Sequence, residues 1–238
     1  MRVFIGWDAR ERLGWHVCAA SLQAASSRAV SVAPVSRPDL ERLGLYQRPW
    51  HRSERGVLVD DVSDAPMATD FSLARFWVPR LAGPFGWALF CDCDFLFRAD
   101  VCELFALADR RYAVMVVKHD HQPAEKLKMD GQVQTQYPRK NWSSLMLWNL
   151  EHPGTHRLSD FLLNSATGLE LHRFCWLDDA DIGALPESWN WLDGHSSPDI
   201  DPNAVHFTRG TPDMLGYEQT RFAPEWNRYA QAFVRRVA

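Results

Sequence analysis

The segment Trp87-Ala88-Leu89-Phe90-Cys91-Asp92-Cys93-Asp94-Phe95-Leu96 changes character abruptly. Trp87 to Cys91 is an apolar run of strand length, and two aspartates follow it, one residue apart. So short and continuous a run suits a strand covered on both faces of a sheet. The acids then stand at its carboxyl end, the edge at which open α/β sheets gather ligands. Two carboxylates spaced i, i+2 on such an edge can share one hard divalent cation. Oxygen ligands favour Mg²⁺ or Mn²⁺, which keep positions open for the phosphates of a substrate. The same residues also describe a strand followed by a turn with two solvated aspartates. The flanking strand favours the cation.

Outward from this segment, the apolar period alternates between two and about 3.6. That alternation predicts an α/β domain with a central sheet. Val3 to Gly6 reads as a first strand and Arg10 to Ala25 as a helix, with Leu13, Val17, Ala20 and Leu22 near one face. Val30 to Val35 reads as a second strand and His51 to Asp64 as loop. Ser72 is positioned to cap a helix carrying Phe76, Val78 and Leu81, interrupted by Pro79 and ended by Gly83-Pro84. Val101 to Ala108 reads as a short helix, and Tyr112 to Val117 and Ser144 to Trp148 as buried strands. Phe222 to Val237 reads as a closing amphipathic helix with Trp226, Tyr229 and Phe233 inward. Arg235 and Arg236 form its solvated, dipole-favoured end.

The composition is that of an ordinary globular chain: 238 residues, 46% hydrophobic and 24% charged, with a net charge of −4. This argues against disorder and against broad electrostatic binding of nucleic acid, while leaving room for a local basic groove. The longest apolar stretches, such as Ala113 to Val117, fall far short of the roughly 18 residues that cross a bilayer. A carboxylate at Asp8 comes too early for a signal peptide. The five cysteines are an odd number without zinc-knuckle spacing, so a reduced, cytoplasmic compartment is expected. Asn141-Trp142-Ser143 matches a glycosylation sequon, which carries little weight without a leader.

Three further groups carry chemistry. His206, in Val205-His206-Phe207-Thr208-Arg209-Gly210, is a residue type that ligates Mn²⁺-like ions beside carboxylates, although a lone histidine is more often a satisfied core group. The acidic run Asp178-Asp179-Ala180-Asp181 offers acid, base or hydroxyl-binding groups, or equally a helix start with Asp178 or Asp179 as cap. Lys118, His119, Lys126, Lys128, Arg139 and Lys140 form a basic stretch suited to a diphosphate or an anionic acceptor, or an exposed loop. The eleven tryptophans supply pocket walls for sugars or bases, but most are expected in the core.

Taken together these pieces resemble glycosyltransferase family 8, the family of the bacterial lipopolysaccharide galactosyl- and glucosyltransferases and of glycogenin. Gly6, Trp7 and Asp8 match the end of its first strand, which contacts the nucleotide base. Arg75 matches its donor-binding arginine, Asp92 and Asp94 its metal-binding acids with Cys93 between them, and His206 its late third ligand. Asn141, Ser143 and Ser144 lie where the family touches the donor sugar, and Asp178, Asp179 and Asp181 where it has an acidic segment beside the reacting carbon. The matches run from residue 3 to about 210 and depart from the family in places. The lysine expected after Gly210 is replaced within Thr211-Pro212-Asp213-Met214, which leaves the diphosphate contact to Arg209 and Gly210 or to the basic stretch. Serines replace the family's glycine, and Ala180 replaces its glutamine, the mark of a divergent branch.

The resemblance implies a GT-A (Rossmann-like) fold, with a mixed, mostly parallel sheet flanked by helices. It implies one domain over 1–238, with 1–120 the nucleotide-binding part and 121–238 the acceptor side. It further implies a nucleotide-diphosphate-sugar donor (a UDP-sugar first), a saccharide or glycolipid acceptor, Mn²⁺ or Mg²⁺, retention of configuration and peripheral rather than spanning membrane contact. Asp179 is the favoured acidic-site residue. Two alternatives stand beside this reading. One is a binding protein of the same fold without turnover. The other is a haloacid-dehalogenase-type phosphatase, which is disfavoured by Leu96 and by the position of the aspartates so far along the chain.

Overall fold

The computed structural model describes residues 1–119, 139 and 141–237. Chain order begins with β1 (Arg2–Gly6), α1 (Arg12–Ala25), β2 (Ser31–Val35) and α2 (Arg37–Arg42). Three short strands follow: β3 (Trp50–Arg52), β4 (Leu58–Asp60) and β5 (Ala65–Met67). Next come α3 (Val78–Ala82), β6 (Trp87–Cys91), β7 (Phe95–Phe97), α4 (Val101–Ala106), β8 (Val114–Val116) and β9 (Leu145–Asn149). The rest comprises α5 (Pro153–His156), α6 (Asp160–Ser165), α7 (Gly168–His172), β10 (Ile182–Ala184), β11 (Trp191–Leu192), β12 (Ala204–His206) and α8 (Ala223–Val237).

The central sheet runs β10-β8-β9-β6-β1-β2. Its β1·β2, β1·β6 and β10·β8 pairs are parallel, and β9 runs antiparallel to both neighbours. Val3, Ile5, Leu89, Phe90 and every residue of β9 are buried, so the continuous apolar runs do mark strands covered on both faces. A smaller sheet, β11-β12-β7, packs its own apolar cluster against α1 and α8 through Val17, Leu96, Val205, Phe207, Phe222 and Trp226. Among the described residues no helix is long and apolar enough to cross a membrane.

Three local expectations are corrected. The region read as loop, His51 to Asp64, contains most of an antiparallel sheet, β3-β4-β5, whose strands of three residues are too short to show a period. Ser72 does not cap a helix. Its hydroxyl accepts from the Thr69 N–H, a single tight turn covers Ala74–Trp77, and Pro79 then sits in the first turn of α3, where its missing N–H costs nothing. Gly83, at φ 84°, ends that helix as expected. Asp178 precedes the short turn Asp179–Asp181 but makes no capping hydrogen bond with its side chain. Most tryptophans are core, with Trp148, Trp189, Trp191 and Trp226 all buried.

Candidate active site

The sheet's topology gathers one set of side chains at one edge. β1 and β6 are parallel, with Ile5 opposite Cys91, so both strands release their chains at the same edge. β9 is antiparallel to β6, with Cys91 opposite Leu145, so the start of β9 and the preceding Asn141–Ser144 turn lie at that edge as well. The Asp92 N–H donates to the Ser144 carbonyl at 2.9 Å. Just beyond Asp94, β7 pairs antiparallel with β12, Phe95 opposite His206. That pairing carries the late histidine onto the aspartates.

One carboxylate oxygen each from Asp92 and Asp94 and one ring nitrogen of His206 all lie within 4.8 Å of one another. His206 Nε2 is 3.4 Å from Asp94 Oδ1, and its ring stacks on Phe95 with centroids 4.4 Å apart. Arg75 is buried and points at Asp92, Nη1 lying 2.9 Å from Oδ1. The same guanidinium donates to the carbonyls of Ser72 and Ser143, each at 3.0 Å. Even so, Oδ1 of Asp92 and Oδ1 of Asp94 are buried with no hydrogen bond to receive. Arg75 and His206 lie against these two oxygens without hydrogen-bonding to them, so each buried carboxylate keeps acceptor capacity that a further cation would use. Two such oxygens and an imidazole nitrogen are a donor set that fits a divalent ion of the Mn²⁺ or Mg²⁺ kind.

Burial pushes the Asp92 carboxyl up to about 6, against the pull of Arg75 and with the Asp94 charge adding to the rise. Asp94 goes the other way. Burial opposes its ionisation, but the charge of His206 beside it holds it below the usual carboxylate range. His206 is raised correspondingly: burial works against its charged form and is outweighed by Asp94, with Asp92 contributing. The attraction between His206 and Asp94 thus shifts the two groups in opposite directions, while burial leaves Asp92 the more reluctant acid.

These residues border a cavity of about 620 Å³, within the roughly 300–1,000 Å³ usual for small-ligand sites. Arg75, Asp92, Asp94, Asn141, Ser143, Ser144 and His206 line it. The rest of the lining was not foreseen. It is built by β5 with Ala68 and Thr69, and by Thr167, Gly168, Leu169 and His172. A fully buried ion pair holds it together: Arg48 Nη2 lies 2.6 Å from Asp60 Oδ2, while Arg48 Nη1 donates to the carbonyls of Leu163 and Ala166. Ser63 extends the clamp, its N–H donating to Asp60 and its hydroxyl accepting from the Gly168 N–H at 2.8 Å.

The remaining expected residues sit elsewhere. Gly6 packs directly against the Phe71 ring, which leaves no room for a Cβ. Asp8 is buried and spends both oxygens on Arg10, with the Asp70 N–H a further donor. Neither they nor Trp7 line the cavity. Cys93 is buried and turns its thiol to Glu11 at 2.8 Å. Arg209 stacks over Tyr217 and, with Gly210, lies outside the lining. Asp178 and Asp179 are 86% exposed; Asp179 pairs with Arg139, and Asp181 with Arg157. None of these three acids is among the residues lining the cavity. Lys126, Lys128 and Lys140 fall outside the described residues.

Sequence reading missed three residues. Glu11 lines the cavity with its carboxyl pushed up to about 7, by burial first and then by the neighbouring Asp94. His172 Nδ1 lies 2.7 Å from the Ser143 hydroxyl. Asn190 Oδ1 lies 2.9 Å from His206 Nδ1. Only Asn190 carried a signal, as an amide inside the aromatic run Trp189-Asn190-Trp191.

No family model matches the chain. It is 46% identical over 230 residues to Protein CDI of Arabidopsis thaliana, an alignment covering 94% of this chain and 84% of that protein. The chain belongs to the CDI family. Among solved structures, this CDI-family chain is similar to the galactosyltransferase LgtC in complex with donor and acceptor sugar analogs, at a TM-score of 0.59 and 14% identity, over 98% of this chain and 96% of that one. It is also similar to the glycosyltransferase GlyE of Streptococcus pneumoniae (TM-score 0.59, 11% identity, 96% of this chain and 60% of that one). The bifunctional glycosyltransferase WbbM gives a TM-score of 0.55 at 16% identity, and 97% of this chain spans 49% of that one, about half its length. Such identities establish the fold alone: the CDI-family chain has the GT-A fold of glycosyltransferases.

Proposed function

We propose that this CDI-family protein is a glycosyltransferase of the family 8 type, moving a sugar from a nucleotide-diphosphate donor to an acceptor hydroxyl with retention of configuration. The observation that carries the reading is the convergence of Asp92, Asp94 and His206, one ligand atom from each within 4.8 Å of the others, in a ligand-sized cavity of a GT-A fold, where the buried Oδ1 atoms of both aspartates have ion-pair contacts but no hydrogen bond. Asp92, Asp94 and His206 Nε2 would hold Mn²⁺ or Mg²⁺. Such an ion, when bound, neutralises charge building on a departing nucleoside diphosphate. Arg75 keeps Asp92 in place and adds a fixed positive charge beside the phosphates. Asn141, Ser143 and Ser144 stand beside Asp92 as the segment against which the donor sugar would rest, the hydroxyls of both serines being already engaged within the protein. The exposure of Asp178 and Asp179 suits them to docking the hydroxyls of a saccharide or glycolipid acceptor, with Asp179 foremost.

In this reading residues 1–120 serve the nucleotide, a UDP-sugar first, and 121–238 the acceptor. A cytoplasmic setting accords with the five free cysteines. The phosphatase alternative has no counterpart among the glycosyltransferase neighbours and is set aside.

The test is a panel of nucleotide sugars offered with and without Mn²⁺, followed by thermal shift and by release of nucleoside diphosphate. Metal-dependent stabilisation together with release supports the transferase. One observation favours the alternative of a binding protein without turnover: Arg75 is the sole arginine or lysine among the described residues lining the cavity. Stabilisation without release, also in the presence of saccharide acceptors, would select that alternative. The absence of both would end the nucleotide-sugar reading.

A further inference from the structure

We infer that Asn190 is a positioning residue for the metal centre, holding His206 in the tautomer whose bare Nε2 faces Asp94. This rests on the metal-site reading above and adds a component to it. The direction of each hydrogen bond follows from the one before. The Ser144 hydroxyl lies 2.7 Å from the Asn141 carbonyl, which can only accept, so Ser144 spends its single proton there. Toward Asn190 the serine oxygen is left as an acceptor, and the Asn190 amide nitrogen donates to it at 2.9 Å. The amide is thereby oriented with its oxygen toward His206. Oδ1 sits 2.9 Å from Nδ1, so Nδ1 carries the ring proton and neutral Nε2 is a lone pair.

No water can substitute along this relay, because Asn190, Ser144 and His206 are all buried. A flipped amide would set its oxygen against a serine oxygen whose proton is already committed, and an NH₂ against the imidazole. The relay also opposes a specific alternative. Asp94 Oδ1, 3.4 Å from Nε2, would otherwise draw the proton to Nε2 and close the position that a cation needs. Ser144 ties the two halves of the centre together, since its carbonyl receives the Asp92 N–H while its hydroxyl directs Asn190. Outer partners of this kind fix ligand tautomer and orientation, and their loss costs about 10–100-fold in metal affinity.

The experiment combines Mn²⁺ calorimetry with ¹⁵N-imidazole NMR of the metal-free protein at alkaline pH, where His206 is neutral. In the wild type the proton should reside on Nδ1. Asn190→Leu removes the acceptor, so the proton should move to Nε2 and the Mn²⁺ dissociation constant should rise about 10–100-fold. Asn190→Asp keeps an acceptor at the same atom and should restore the Nδ1 tautomer and most of the affinity, which a merely structural role would not do. Ser144→Ala should give a smaller loss, because the amide is then free to turn. A wild-type spectrum with the proton on Nε2 overturns the inference, as does a folded Asn190→Leu protein with unchanged tautomer and affinity. Should Asn190→Leu fail to fold, the wild-type spectrum and the Asn190→Asp titration decide. If the wild type binds no Mn²⁺ yet shows the Nδ1 tautomer, the metal reading falls while the relay stands.

Discussion

His206 Nε2 lies 3.4 Å from Asp94 Oδ1, and the backbone pairing of β12 with β7 holds the two side chains there regardless of their charge. The contact is enforced by strand register rather than by the attraction itself. Substituting the side chains should therefore change what they bind more than how the chain folds.

Asp92→Asn and Asp94→Asn should each abolish metal-dependent nucleotide-sugar binding with little loss of melting temperature. Removing a ligand should exceed the about 10–100-fold cost of losing an outer partner. Calorimetry with Mn²⁺ present, beside circular dichroism, reads both quantities. Unchanged donor affinity in both variants would remove these aspartates from the site.

Affinity for Mn²⁺ should climb with pH. Asp92, which titrates at about 6, and His206, raised above its ordinary value, must both release protons before they can ligate. The dissociation constant should fall steeply on moving up through about 6 and level off above the His206 transition. Titrations at four or five pH values test this, and a flat profile between about 5 and 8 contradicts it.

Glu11 should make the metal-free protein less stable as pH rises. Its carboxyl titrates at about 7 in the fold against an ordinary 4.5, so across that window the folded state binds more protons than the unfolded one. Stability then declines with increasing pH, by on the order of 2–3 kcal/mol for this group. Glu11→Gln should be stabilised relative to wild type at about pH 8 and much less so at about pH 4.5. Urea unfolding at the two pH values gives the comparison, and an equal gain at both would mean that ionisation is not the cause.

Arg48→Met should destabilise the protein by about 3–5 kcal/mol, since it strands the Asp60 carboxylate in the interior and releases two carbonyls. Arg48→Met combined with Asp60→Leu should recover part of that loss, because no buried charge is then left unpaired. Denaturant midpoints measure it, and a double variant as unstable as the sum of its single variants would argue against a charge effect.

Several parts of the molecule were legible from residue order alone. The apolar runs at Val3, Trp87 and Leu145 mark strands because a strand covered on both faces has no polar side to alternate with. α1 and α8 declared themselves by length and a helical period. Asp92 and Asp94 were readable as a strand-end pair because they adjoin the run that forms β6.

What lies around them was decided by pairing between distant segments. The antiparallel register of β9 against β6 brings Asn141 and Ser144 to Asp92, and β12 against β7 brings His206 to Asp94. The clamp of Arg48, Asp60, Ser63 and Gly168 joins short strands to a segment distant in the chain and shapes part of the cavity lining. The exposure of Asp179 is likewise a matter of where its loop comes to rest. Local sequence sets strand and helix through periodicity. Which donors meet which acceptors, and therefore which proton sits on which nitrogen of His206, depends on register between segments far apart in the chain, and no local pattern encodes it.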